Sequence, residues 1–103
     1  MTYEIQWSVR ALKNLDAIGS YIAQDNPLRA QSFVQELLDK AKLLRNFPAM
    51  GRPGRLPGTR ELVVHKNYIL PYRVKNNVVQ ILRVQHAAQN AAPSVAAPTE
   101  SPK

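Results

Sequence analysis

Four side chains in the second half of the sequence have the types needed to break a phosphodiester: Arg60, Arg73, Arg83 and His86. Cleaving RNA takes a base for the 2′-hydroxyl, an acid for the leaving oxygen and cations for the charge that builds on phosphorus. His86 is the available imidazole, and the guanidiniums can fork onto phosphate oxygens. The same guanidiniums could instead hold the carboxylates of an acidic partner chain. In the run ILRVQHAAQN, His86 closes an apolar stretch and is followed by Ala87 and Ala88. No tyrosine occurs after Tyr72, so the local sequence offers the imidazole no acid/base partner. His65 and His86 stand apart, without carboxylates at ligand spacing, and the chain has no cysteine. A thiolate zinc site, a disulfide and a cysteine nucleophile are thereby excluded, and no metal or cofactor is expected. The glycines of GRPGRLPGTR follow no strand and precede no helix, unlike a phosphate-binding loop.

The charge is concentrated. Residues 1–49 carry six basic and five acidic side chains, whereas residues 50–86 carry seven basic side chains against Glu61 alone. The net charge of +7 therefore sits almost entirely on one segment, which would attract a nucleic acid or an acidic protein. Arg52, Arg55, Arg60, Arg73 and Arg83 are its candidate binding residues.

The elements that must position these residues are legible in order. Thr2 to Trp7 alternates and reads as a strand. Ser8 can cap a helix carrying Leu12, Leu15, Ile18 and Ile22 at three- and four-residue spacing, in which Gly19 leaves room for a close neighbour. Asn26-Pro27 starts a second helix, with Ala30, Phe33, Leu37, Ala41 and Leu44 on one face, ending before Phe47-Pro48. A break this short makes the two helices an antiparallel hairpin. Residues 48–60 hold three of the four glycines and three of the eight prolines and form a basic loop. Three strands follow: Glu61 to His65, Tyr68 to Lys75 and Val78 to Gln85. Turns at Lys66-Asn67 and Asn76-Asn77 suit tight hairpins, because asparagine tolerates positive φ. Pro71 cannot donate to a ladder, which predicts a bulge or an unpaired position. Pairing about the Asn76-Asn77 turn sets Arg73 opposite Gln80 and Arg83 opposite Leu70.

The expected architecture is α+β, in β-α-α-β-β-β order, with the helical hairpin laid across one face of an antiparallel sheet. One domain spans residues 1–89. Residues 90–103, rich in alanine and proline, lack the bulky apolar side chains needed to offset ordering and are expected to be a disordered tail. No apolar run approaches the roughly 18–20 residues that span a bilayer, and the N-terminus lacks a signal-peptide layout, so no membrane association and a cytoplasmic location are expected.

The segments YIAQDNPLRAQSFVQEL, FPAMGRPGR, GTRELVV, YILPYRV and VVQILRVQHAAQ, in this order over residues 3–89, resemble the RelE/ParE superfamily of type II toxins. The resemblance implies the same β-α-α-β-β-β fold. It also implies a growth-inhibiting toxin neutralised by a cognate antitoxin whose acidic segment wraps it, as in systems that secure plasmid stability. YIAQDNP, the long hairpin and LPYRV look like the ParE branch. This implies a non-enzymatic inhibitor of DNA gyrase that stabilises the cleavage complex, with at most an indirect DNA contact. The alternative is the ribosome-dependent mRNA endonuclease of the RelE type, for which Arg60, Arg73, Arg83 and His86 would be the catalytic set.

Overall fold

A computed structural model describes residues 2–87. The expected tail and the boundary at residue 89 lie outside these residues. The elements run β1 (Glu4–Trp7), α1 (Val9–Ala23), α2 (Pro27–Lys42), a 3-10 turn (Leu43–Arg45), β2 (Arg52–Pro53), β3 (Arg60–His65), β4 (Tyr68–Lys75), β5 (Val78–Ile81) and β6 (Gln85–His86).

Both helices start as their caps dictate. The Ser8 hydroxyl accepts from the Ala11 N–H at 2.9 Å, and Asn26 Oδ1 accepts from the Arg29 N–H at 3.0 Å, with Pro27 at the first helical position. The helices pack antiparallel, and a Cβ on Gly19 would lie 3.3 Å from Val34 Cγ2, so glycine fits the crossing closely. The apolar stripes of α1 and α2 meet one face of the sheet. Leu15, Phe33, Leu37, Leu44, Leu62, Leu70, Tyr72, Val79 and Ile81 belong to one buried cluster.

The sheet order is β1-β5-β4-β3-β2, with β6 pairing the far end of β4. It is antiparallel except at its β1 edge, which runs parallel to β5. The β4–β5 turn is the expected one: Asn76 and Asn77 have φ of 52° and 65°. The β3–β4 turn is built differently. A register shift falls between Val63 and His65, and His65 Nδ1 accepts from the Asn67 N–H at 3.1 Å.

The last strand is not continuous. It was expected over Val78 to Gln85, but the ladder stops at Ile81 and resumes at Gln85. Pro71 is the physical reason. It pairs in register with Glu61 on one side, and its carbonyl accepts from the Leu82 N–H at 2.9 Å, but without an N–H it cannot return that bond. The interruption therefore lies in the partner strand and not at Pro71. Helix α1 takes up the freed backbone. The Ser8 hydroxyl donates to the Leu82 carbonyl at 2.7 Å, and Asn14 Oδ1 accepts from the Val84 N–H at 3.0 Å. Across the break the pairing slips by one residue: Arg73 lies opposite Gln80, but Tyr68 lies opposite His86.

Candidate functional site

Alternation divides the strand side chains between two faces. Leu62, Leu70, Tyr72, Val79 and Ile81 point into the helix-covered core, so Glu61, Pro71, Arg73 and Gln80 occupy the opposite face, which no helix of the described residues covers. Arg73 is opposite Gln80 as expected, and its Nε donates to Gln80 Oε1 at 2.8 Å. Arg52 Nε pairs with Glu61 Oε1 at 3.1 Å, where the Glu61 side chain is only 6% exposed. Arg83 does not face Leu70. It sits in the strand break, exposed, beside a cleft of about 210 Å³ lined by Arg10, Arg55, Leu56, Thr59, Glu61, Pro71, Leu82 and Arg83.

Arg10 is the residue that sequence reasoning missed. It lies in the first turn of α1, far from the basic segment, and reaches this face because Ser8 ties the start of α1 to the strand break. No local signal could have placed it there.

Arg60 separates from the other candidates. It lies opposite Tyr72, on the helix side, and its guanidinium donates to the carbonyls of Gly51 at 2.8 Å and Ala49 at 3.3 Å. The Tyr72 hydroxyl donates to the Pro48 carbonyl at 2.6 Å and accepts from the Gly51 N–H at 3.0 Å. Burial raises the Tyr72 pKa, against the lowering effects of the Gly51 N–H and the Arg60 charge. Arg60 and Tyr72 thus hold the basic loop against the sheet.

His86 also lies on the helix side, opposite Tyr68. The two rings meet edge-on with centroids 5.2 Å apart. Tyr68 in turn meets Phe33 at 5.5 Å and His65 at 6.2 Å, and the Arg29 guanidinium lies 5.1 Å above the Phe33 ring. Burial raises the Tyr68 pKa, with a smaller contribution from Tyr21. The tyrosine that the sequence downstream of His86 does not supply therefore comes from upstream, delivered by the register slip.

The four candidate catalytic residues do not converge. Arg73 and Arg83 belong to the open face, whereas Arg60 and His86 belong to the helix side. There they face β4 at Tyr72 and Tyr68, positions about 13 Å apart at 3.3 Å per strand residue. Among the described residues no group of three or more histidine, cysteine or acidic side chains could hold a metal ion, and no helix is long and apolar enough to cross a membrane.

A helical hairpin on one face of a six-stranded mixed sheet, with a basic opposite face, defines the class of small α+β toxins suggested by the sequence motifs. Residues 5–91 match the family described as ParE toxin of type II toxin-antitoxin system, parDE, and the chain belongs to that family. It is 46% identical over 86 residues to the Sinorhizobium fredii protein Y4kP, covering 82% of this chain and 88% of the relative. It is 40% identical over 86 residues to the toxin RelE2 of Caulobacter vibrioides, covering 84% and 97%. Among solved structures, the chromosomal ParDE system from P. aeruginosa superposes with a TM-score of 0.75 at 31% identity, covering 82% of this chain and 96% of that one. The RelBE2 toxin–antitoxin complex from Mycobacterium tuberculosis shares the fold at a TM-score of 0.55 and 24% identity. The chain is a type II toxin of the ParE/RelE family.

Proposed function

We propose that this toxin inhibits DNA gyrase in the cytoplasm by stabilising the gyrase–DNA cleavage complex, and that a cognate antitoxin neutralises it by laying an acidic segment over the basic sheet face. The observation that carries the non-enzymatic reading is the division of the candidate nuclease set between two faces. A phosphate held by Arg73 or by Arg83 would lie across the sheet from His86. Catalysis by a positioned acid and base requires both within hydrogen-bond reach of the reacting atoms. The match to the ParE family over residues 5–91 supports the same branch.

The test is a supercoiling assay with purified toxin. Gyrase supercoiling falls and linear or nicked DNA accumulates, and prior addition of antitoxin prevents both. Supercoiling that survives a stoichiometric excess of toxin would falsify this reading.

A second reading has a specific observation in its favour. Tyr68 stands beside His86, and a 40% identical relative bears the name RelE2. Under that reading translating lysate shows codon-spaced mRNA cuts that vanish in His86→Ala and in Tyr68→Phe. Under the gyrase reading no such cuts occur, and His86→Ala inhibits gyrase as well as the unsubstituted toxin does. The two substitutions thus separate a catalytic corner from a strand end that only packs.

A further inference from the structure

We infer that the free edge of β1 is a strand-addition site for an extended segment of a partner protein, one that carries two apolar side chains at alternate positions and then a carboxylate. β1 is an outer strand of the sheet, and among the described residues β5 is the strand that pairs with it. The Glu4 N–H donates to the Asn77 carbonyl at 3.0 Å, and the Ser8 N–H to the Ile81 carbonyl at 3.0 Å. Alternate residues therefore turn their backbone groups to β5, and Ile5 and Trp7 turn theirs outward. Tyr3 shows the same direction, because its N–H reaches away from β5 to the Arg45 carbonyl at 2.8 Å. The open edge thus runs from Ile5 to Trp7, closed by the 3-10 turn at one end and by α1 at the other. The N–H and carbonyl groups of these two residues form a row that another extended chain can match.

The side chains of such a chain have a place to go. Tyr3, Ile5 and Trp7 share the helix-side face and pack against the core. Beside them, between β1 and α2, lies a cleft of about 620 Å³ lined by Ile5, Trp7, Leu38 and Ala41, with Lys42 and Arg45 toward its Tyr3 end. Directly opposed strand residues project to the same face, so partner residues opposite Trp7 and Ile5 enter this cleft. In the antiparallel sense, the more stable per residue, these two form hydrogen-bonded pairs with Trp7 and Ile5, and the partner runs on toward Arg45. Its next residue of that parity arrives level with Tyr3, where an acidic side chain meets Arg45 and Lys42. The cleft has Glu4 as its carboxylate against these two cations. Among the described residues Arg45 forms no ion pair, and Lys42 has an exposed contact with Asp39 at 3.8 Å. A second copy of the chain fits this edge poorly. Paired antiparallel, it would bring the start of its α1, with Arg10, to the same cationic end, and each copy carries a net charge of +7.

The inference does not depend on which enzyme the toxin attacks, and it uses a different surface from the basic sheet face. The experiment is fluorescence anisotropy of a labelled, end-capped peptide in which threonine alternates with leucine, valine and aspartate, in that order, titrated with the full-length toxin. The peptide should bind with a Kd below about 1 mM. N-methylation of its leucine and valine should weaken binding at least roughly tenfold, because each methyl removes a bond to the edge. N-methylation of the threonines, whose N–H groups point away from β1, should change binding by less than about threefold. Arg45→Gln should weaken the aspartate peptide by about two- to fivefold and leave an asparagine version unchanged. Arg73→Gln, on the open sheet face, should affect neither peptide. No binding at about 1 mM toxin would overturn the proposal, as would a loss from threonine methylation that equals or exceeds the loss from the other pattern. Equal losses from Arg45→Gln and Arg73→Gln would also overturn it. A toxin dimer that the peptide breaks up would assign the edge to a second copy and overturn it as well.

Discussion

Leu37→Ala lowers the unfolding free energy of this toxin by about 2–5 kcal/mol and its melting temperature by roughly 10–30 °C. Leu37 lies in the middle of α2, is fully buried and belongs to the cluster that joins the helical hairpin to Leu70 and Tyr72 of the sheet. Truncation removes the apolar contacts and leaves a cavity that rigid neighbours only partly fill. The comparison is Leu28→Ala in the same helix, where the side chain is 78% exposed and the change should stay within about 0.5 kcal/mol. Urea and thermal unfolding of both variants measure the difference. A loss below about 1 kcal/mol for Leu37→Ala would mean that the hairpin does not depend on this layer.

Tyr72→Phe has the second largest effect, and a more local one. The Tyr72 hydroxyl is the tie between the sheet and the basic loop, through the Pro48 carbonyl and the Gly51 N–H. The phenylalanine ring keeps the packing but leaves two polar groups of the loop without this partner. An unsatisfied buried group costs about 1–3 kcal/mol. A Cβ on Gly51 would meet the Tyr72 ring at 2.7 Å, so the loop already lies close against that ring. Melting temperature should fall, and trypsin should cut after Arg55 faster than in the unsubstituted chain. Arg60, which holds the Gly51 and Ala49 carbonyls, keeps the loop from detaching fully. An unchanged cleavage rate together with an unchanged melting temperature would show that the tie is dispensable.

Much of this arrangement could be read along the chain because its causes are local. Ser8, Asn26 and Pro27 announce the helix starts through capping groups within three residues of them. Leu15, Ile18 and Ile22 in α1, with Ala11 buried in place of the exposed Leu12, and the stripe from Ala30 to Leu44 give the hairpin its buried face. Asn76 and Asn77 close the β4–β5 turn by accepting positive φ. From that turn, pairing follows by counting, which correctly sets Arg73 against Gln80.

Counting fails beyond Ile81. A proline on one strand withholds a single hydrogen bond from its neighbour, and α1 supplies replacements from Ser8 and Asn14, separated by 74 and 70 residues from the backbone they bind. Such bonds leave no trace in periodicity. Their consequence is a one-residue slip that carries His86 to Tyr68, leaves Arg83 in the break and draws Arg10 to its side.

The sequence by itself determined the two helices, the main strands and their order, the basic segment and the family motifs, because propensity, capping and alternation act over a few residues. The tertiary structure alone decided which basic residues share a surface. Arg60 became a loop anchor, Arg10 joined Arg55 and Arg83 around a cleft, and His86 was set across the sheet from Arg73 and Arg83. Face assignment in a sheet reverses with a single residue of register, and that register is set here by bonds from Ser8 and Asn14 to Leu82 and Val84.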